Sequence, residues 1–164
     1  MRIILSILFL SVCYGTTINV PADSTTIQAG INGAEEGDTV LVAAGTYVEN
    51  ITWPATNGIK LIGSGEDDCF IDGDSLASVI RFEEDLGGII DSTTLITGFT
   101  VQNGNTYGGD IPYNSGGGMY LRQSSPTLID MTFKGNTAGW DDGTSGIGGG
   151  MSLYENSNPQ LKGR

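Results

Sequence analysis

Nineteen acidic side chains and no histidine delimit the chemistry open to this chain of 164 residues. Without imidazole there is no Ser-His-Asp or Cys-His nucleophile, no histidine zinc site and no histidine base. Carboxylates, Lys, Arg and Tyr remain, and three groupings of them stand out. Glu66-Asp67-Asp68 follows the turn Gly63-Ser64-Gly65 and offers neighbouring carboxyls. Glycoside hydrolysis needs two such groups about 5–9 Å apart, one with a raised pKa. In a Gly-rich turn these acids are expected to be solvated. Asp72-Gly73-Asp74 and Trp140-Asp141-Asp142-Gly143 are loops of a kind that can hold calcium. That ion takes 6–8 oxygens, so Asp72, Asp74, Asp141 and Asp142 would need ligands from a neighbouring segment. Neither EF-hand spacing nor the Gly-Gly-x-Gly-x-Asp repeat occurs, so both loops are expected to be structural turns and no cofactor is expected, with calcium as the alternative. The third grouping is Tyr120, Arg122 and Tyr154, which lie in Met-Tyr-Leu-Arg and Met-Ser-Leu-Tyr.

What positions these groups is a repeat. Gly116-Gly117-Gly118-Met119 opens one unit and Gly148-Gly149-Gly150-Met151 opens the next; Pro126 and Pro159 recur in step. Thr94-Leu95-Ile96 and Asn103 anticipate Thr127-Leu128-Ile129 and Asn136 at the same spacing. A period of about 20–50 residues marks a solenoid, whose units bury their apolar faces against one another. Most of the chain reads as short strands: 39–42, 47–51, 59–61, 69–71, 80–82, 93–101, 119–121, 126–133 and 151–153. Met119 with Leu121, and Met151 with Leu153, form inward pairs, which sends Tyr120, Arg122, Ser152 and Tyr154 outward. Stacked aromatics with Arg on a flat sheet make a platform for sugar rings. Asn103 and Asn136 at matching positions predict a buried amide ladder. Helical spacing appears once, at Ile27, Gly30, Ile31 and Ala34, and predicts a capping helix over Thr25 to Glu35. Units in register favour a parallel β-helix over a sandwich of hairpins, for which Asn57-Gly58 is the clearest turn dipeptide.

The first fifteen residues stand apart. Arg2, the apolar run from Ile3 to Val12, and small residues at Cys13 and Gly15 have the form of a secretory signal peptide cleaved after Gly15. The run is too short to span a membrane, which takes about 20 apolar residues. Residues 16–37 are then an N-terminal strand with its capping helix, and 38–164 the solenoid coils. Net charge is −12, which argues against nucleic acid or an anionic membrane as partner and suits an exported protein. Cys69 would be the one cysteine of the mature chain, and Phe70 and Ile71 beside it predict a buried, inert thiol. Leu161 to Arg164 fall inside the second Gly-Gly-Gly-Met unit with no visible cap, so a C-terminally incomplete solenoid, part of a longer protein, is expected.

The stretch TIQAGINGAEEGDTVLVAAGTYVENI, Thr26 to Ile51, resembles the opening of the pectin-lyase-like superfamily of right-handed β-helices. GFTVQNGN, the GGGM units, SSPTL and FKGN are similar to secreted bacterial β-helix repeat proteins. Phe133 to Asn136 also matches the Phe-x-x-Asn element of polymorphic outer-membrane protein repeats, whereas Gly117-Gly118-Met119 departs from that family's Gly-Gly-Ala-aliphatic element. The resemblance implies an all-β fold, a right-handed parallel β-helix, that binds polysaccharide along an outer face. Gly45-Thr46-Tyr47-Val48-Glu49 fits the Gly-x-Tyr-x-Glu motif of pectin methylesterases, but that family's catalytic motifs have no match. Gly45 is therefore expected to make a turn, with Tyr47 and Glu49 anchoring the strand. Glu66-Asp67-Asp68 is similar to the acids of β-helix polygalacturonases, whose remaining motifs are also missing. The expectation is an exported, non-catalytic module for polysaccharide or cell-surface adhesion. The alternative is the N-terminal part of a lyase or esterase whose active site lies further along.

Overall fold

The computed structural model describes residues 15–83, 89–107, 114–139 and 148–163. Its strands are β1 Thr17–Val20, β2 Thr39–Val42, β3 Gly45–Val48, β4 Ile51–Thr52, β5 Lys60–Gly63, β6 Cys69–Asp72, β7 Ile80–Phe82 and β8 Leu95–Gln102. They continue with β9 Asn105–Tyr107, β10 Met119–Arg122, β11 Thr127–Lys134, β12 Thr137–Gly139, β13 Met151–Tyr154 and β14 Gln160–Lys162, and one helix, α1, covers Ile27–Asn32. Three sheets hold them: β1-β2-β5-β8-β11-β14, with β3 and β6 alongside; β13-β10-β7-β4; and β12-β9. Every pairing among the described residues is parallel, and each strand lies on its counterpart from the next coil. This is a right-handed parallel β-helix with a short N-terminal helix. Asn57-Gly58 makes no hairpin, in keeping with the solenoid: Asn57 Oδ1 accepts from Asp91 N at 3.0 Å and Thr94 Oγ1 at 2.9 Å, one coil on.

Apolar side chains climb the interior in columns. Ile18, Val40, Leu61, Ile96, Leu128 and Leu161 occupy one register position from coil to coil. Ile51, Ile80, Met119 and Met151 form a second column. Trp53 stacks on Phe82 with ring centroids 5.0 Å apart, and both are buried. Cys69 is buried in the same core, as its neighbours predicted, and burial pushes its thiol pKa up. Its thiolate is therefore disfavoured, and with it nucleophilic reactivity.

Register departs from the sequence echo at one step. The two Thr-Leu-Ile runs align in sequence, yet Thr127 pairs with Leu95 and Leu128 with Ile96. The bend inside each strand decides this. Gly98 and Asp130 share a register position and both turn the chain with positive φ, +75° and +48°. The echo would place Met131 opposite Gly98, and Met disfavours that left-handed backbone more than Asp does. The Gly-Gly-Gly-Met units have a comparable cause, since Gly116 and Gly148 both sit at φ +65° just before the strands they introduce.

The cap is shorter than the predicted Thr25 to Glu35. Thr26 Oγ1 accepts from Ala29 N at 3.1 Å, and Gly33 closes the helix. So short a helix does not persist alone in water. Its buried Ile27, Gly30 and Ile31 pack on the first coil. No helix among the described residues is long and apolar enough to cross a membrane.

Candidate functional site

The residues predicted as a sugar platform lie on the sheet formed by β4, β7, β10 and β13. Alternation sends one side chain per coil outward in register, namely Thr52, Arg81, Tyr120 and Ser152. One step along, Arg122 pairs with Tyr154. The Arg122 guanidinium lies 5.5 Å from the Tyr154 ring centroid, within cation–π range. Glu155 also holds it, accepting from Nε at 2.9 Å and from Nη2 at 3.0 Å, and accepts from Gln123 Nε2 at 3.3 Å. These hydrogen bonds hold the Arg122 pKa above its ordinary value, so the cation persists at any physiological pH. Tyr154 is 40% exposed, leaving part of its ring open to a partner.

Tyr120 does not join this open surface. It points outward, as alternation requires, but is only 1% exposed. The Arg81 guanidinium lies 4.7 Å from its ring centroid, and Arg81 is held in turn by Glu83 Oε1 at 2.8 Å and Ser78 Oγ at 3.2 Å. Burial pushes the Tyr120 phenol up to about 12, so it stays protonated and offers no base near neutral pH. The predicted trio thus divides: Arg122 and Tyr154 meet at the surface, while Tyr120 is the floor under Arg81. Arg81 and Glu83 were missed as site residues. Aligning Ile80-Arg81-Phe82 with Met119-Tyr120-Leu121 would have found Arg81, but that step of the solenoid is longer than the repeat visible in sequence.

The acids of 66–68 sit elsewhere, on the bend between the two halves of β8 and β11. In those strands the bend is the single residue Gly98 or Asp130; in the coil below it widens into a loop between β5 and β6. Thr100 Oγ1 donates to the Glu66 carbonyl at 2.7 Å and Thr132 Oγ1 to its carboxylate at 3.2 Å, drawing the loop up across two coils. A cleft of about 300 Å³ results, lined by Ser64, Glu66, Asp67, Asp68, Thr97 and Asp130 among others. Asp130 could not be assigned to it from sequence, because it reaches the loop only through the stacking of coils.

Of the calcium candidates, Asp141 and Asp142 lie outside the described residues. Asp72 is committed to the fold. Its Oδ1 accepts from Asp74 N at 3.0 Å, and its Oδ2 from Gln102 Nε2 at 2.8 Å and Asn103 Nδ2 at 2.7 Å. Burial alone would raise the Asp72 pKa, but these three donors outweigh it and hold the carboxyl below its ordinary value. Among the described residues, no three His, Cys, Asp or Glu side chains converge as a metal site would require.

The predicted asparagine ladder is not formed. Asn103 spends its amide on Asp72, whereas Asn136 donates to Val101 O at 2.9 Å and accepts from Gly104 N at 2.8 Å. The register at the bend offsets the two by one residue, so Asn136 meets backbone instead of Asn103. Gly45 opens β3 at φ +153°, Tyr47 Oη donates to Ala43 O at 3.0 Å, and Glu49 proves to be the clamp on the cap. Its two oxygens accept from Ile27 N and Gln28 N, each at 2.9 Å. Gln28 then binds Thr52 through donor and acceptor together. The Gly-x-Tyr-x-Glu match therefore has a complete structural account.

No protein-family model matches this chain, and no curated protein matches it. Among solved structures, a pectin methylesterase from carrot aligns with it at 12% identity and a TM-score of 0.47, covering 92% of this chain and 54% of that one. The chain therefore spans about half the length of that structure.

Proposed function

We propose that this chain is an exported, non-catalytic β-helix module that binds polysaccharide or a cell-surface glycan on the outer face around Arg122 and Tyr154. The observation that carries the reading is the half-exposed Tyr154 ring braced by an Arg122 that Glu155 holds in two places. A fixed aromatic face loses little entropy when a sugar ring stacks on it, and Gln123 and Glu155 beside it offer hydrogen bonds to hydroxyls. Replacing Tyr154 by Ala should weaken capture on a glycan array or insoluble-polysaccharide pull-down about tenfold, with unchanged circular dichroism. Binding equal to that of the parent would remove the site. Export is tested by fractionation, in which accumulation of the whole chain in the cytoplasm would count against it.

A second reading, a carbohydrate-active enzyme, is favoured by one feature: the cleft that brings Asp130 to Glu66, Asp67 and Asp68. Paired carboxyls are what glycoside hydrolysis uses. Release of reducing ends from polygalacturonate, lost in Asp130→Asn, would support that reading over the binding module.

A further inference from the structure

The start of β1 carries an inference that rests on the export reading. Cleavage after Gly15 leaves Thr16 as the first residue. Hydrolysis of the Gly15–Thr16 amide consumes one water, leaves a carboxylate on the departing leader and turns the Thr16 nitrogen into an ammonium group. That nitrogen already has a partner. Thr16 N donates to Asp38 Oδ1 at 2.6 Å, while Asp38 Oδ2 accepts from Glu35 N at 2.9 Å and Thr16 O accepts from Thr39 N at 2.8 Å. Asp38 is 7% exposed, while Thr16 itself lies at the surface. Just upstream there is little room. A Cβ added at Gly15 would collide with the Gly37 carbonyl oxygen, so the chain passes residue 15 tightly against the turn that carries Asp38.

We propose that Asp38 is the docking site for the α-ammonium of Thr16 released by leader removal, so that processing turns one amide hydrogen bond into an ion pair that fastens the first strand. An ammonium brings three donors and a full charge where the amide brought one donor, and charge-assisted bonds of this kind are about twice as strong. The carboxylate is prepared for a cation: its hydrogen bonds from Glu35 N and Thr16 N hold its pKa below the ordinary value. The other charged groups nearby are Glu35 and Glu36, in the turn ahead of Asp38, and Lys60 on β5, whose N–H donates to the Asp38 carbonyl. α1 contributes no charge from its first or last turn. Two of these three neighbours are acidic and reinforce the preference for an ammonium.

The sign follows from linkage. A free α-amino group titrates at about 7.7–8.0, and pairing with Asp38 raises that value in the folded state. The added stability is complete below the unfolded value and disappears as pH rises through the folded one. The test compares residues 16–164 bearing a free Thr16 amine with the same chain acetylated at Thr16, each with Asp38 and with Asp38→Asn. At pH 6 the free-amine chain should melt higher by about 2–4 °C, a gap that closes by about pH 10.5 and is absent in the Asp38→Asn pair. Equal midpoints at pH 6, or a gap that survives Asp38→Asn, would overturn the docking site. N-terminal sequencing of the exported chain tests the underlying processing separately: Thr16 as first residue supports it, and any other first residue overturns it.

Discussion

The first and the last of the described coils treat the same apolar column in opposite ways. At the first coil, Ile18 and Val40 lie beneath a helix whose Ile27 and Ile31 are fully buried, and Glu49 ties that helix down. The edge of β1 is blocked as well: Asn19 N donates to Asp23 Oδ2, and Asn19 O accepts from Asp23 N and Ser24 N. Asn19 therefore offers no free backbone group to another chain along this side. At the last coil, Leu161, the top of the same column, is 66% exposed, and Leu153, the inward partner of Met151, is 49% exposed. Leu128, Met131, Phe133 and Met151 line an apolar hollow of about 360 Å³ there. Both coils place an aliphatic side chain at this register position, yet burial differs, because a coil draws its stability from neighbours on both sides. In the 164-residue chain by itself, local stability should therefore fall from the helix-covered coil toward β13 and β14.

The largest test of that gradient sets one core deletion against another. Phe82→Ala removes the ring stacked on Trp53 in the middle of the stack and should cost about 3–5 kcal/mol in urea unfolding. Leu161→Ala, in the same type of inward position, should change stability by no more than about 0.5 kcal/mol. Equal losses would abolish the contrast between the ends. Next comes the clamp. Glu49→Ala leaves Ile27 N and Gln28 N without acceptors and should cost about 2–3 kcal/mol, whereas Glu49→Gln keeps one acceptor and should cost about 1. Hydrogen exchange reads the gradient directly: amides of β13 and β14 should exchange at least about tenfold faster than those of β2 and β5. Uniform protection along the stack would contradict it.

The smallest effect is that of acid. Asp38 and Asp72 have folded pKa values below their ordinary ones, Asp38 through hydrogen bonds from Glu35 N and Thr16 N, Asp72 through donors that outweigh its burial. Their contribution is complete above the unfolded value of about 3.9 and is lost as pH falls through the folded value. Thermal midpoints should decline below about pH 4, and Asp38→Asn and Asp72→Asn should each flatten that decline. Since Asp38 fastens the first strand and Asp72 a middle coil, comparing the two variants shows which region acid loosens first.

Much of the architecture was legible in the residues. Met119 with Leu121 and Met151 with Leu153 announced inward pairs, and the Gly-Gly-Gly-Met units announced the repeat; alternation is local to a strand. The outward direction of Tyr120 was legible for the same reason. Its burial was not, because the Arg81 that covers it comes from another coil, across a connection longer than the visible repeat. Nor could the Asn103–Asn136 mismatch be read, since it turns on which residue takes the bend.

Sequence alone therefore determined the coil: which side chains face in, where the backbone turns, and that a short helix needs a partner. Tertiary structure decided everything that depends on how one coil sits on the next. The meeting of Arg122 with Tyr154, the approach of Asp130 to Glu66 and the capture of Thr16 by Asp38 are all of this kind. The physical reason is that alternation and turn angles are properties of a few adjacent residues. Contacts between coils are set by the length of every intervening turn, and a change of one residue there moves a side chain to a different neighbour.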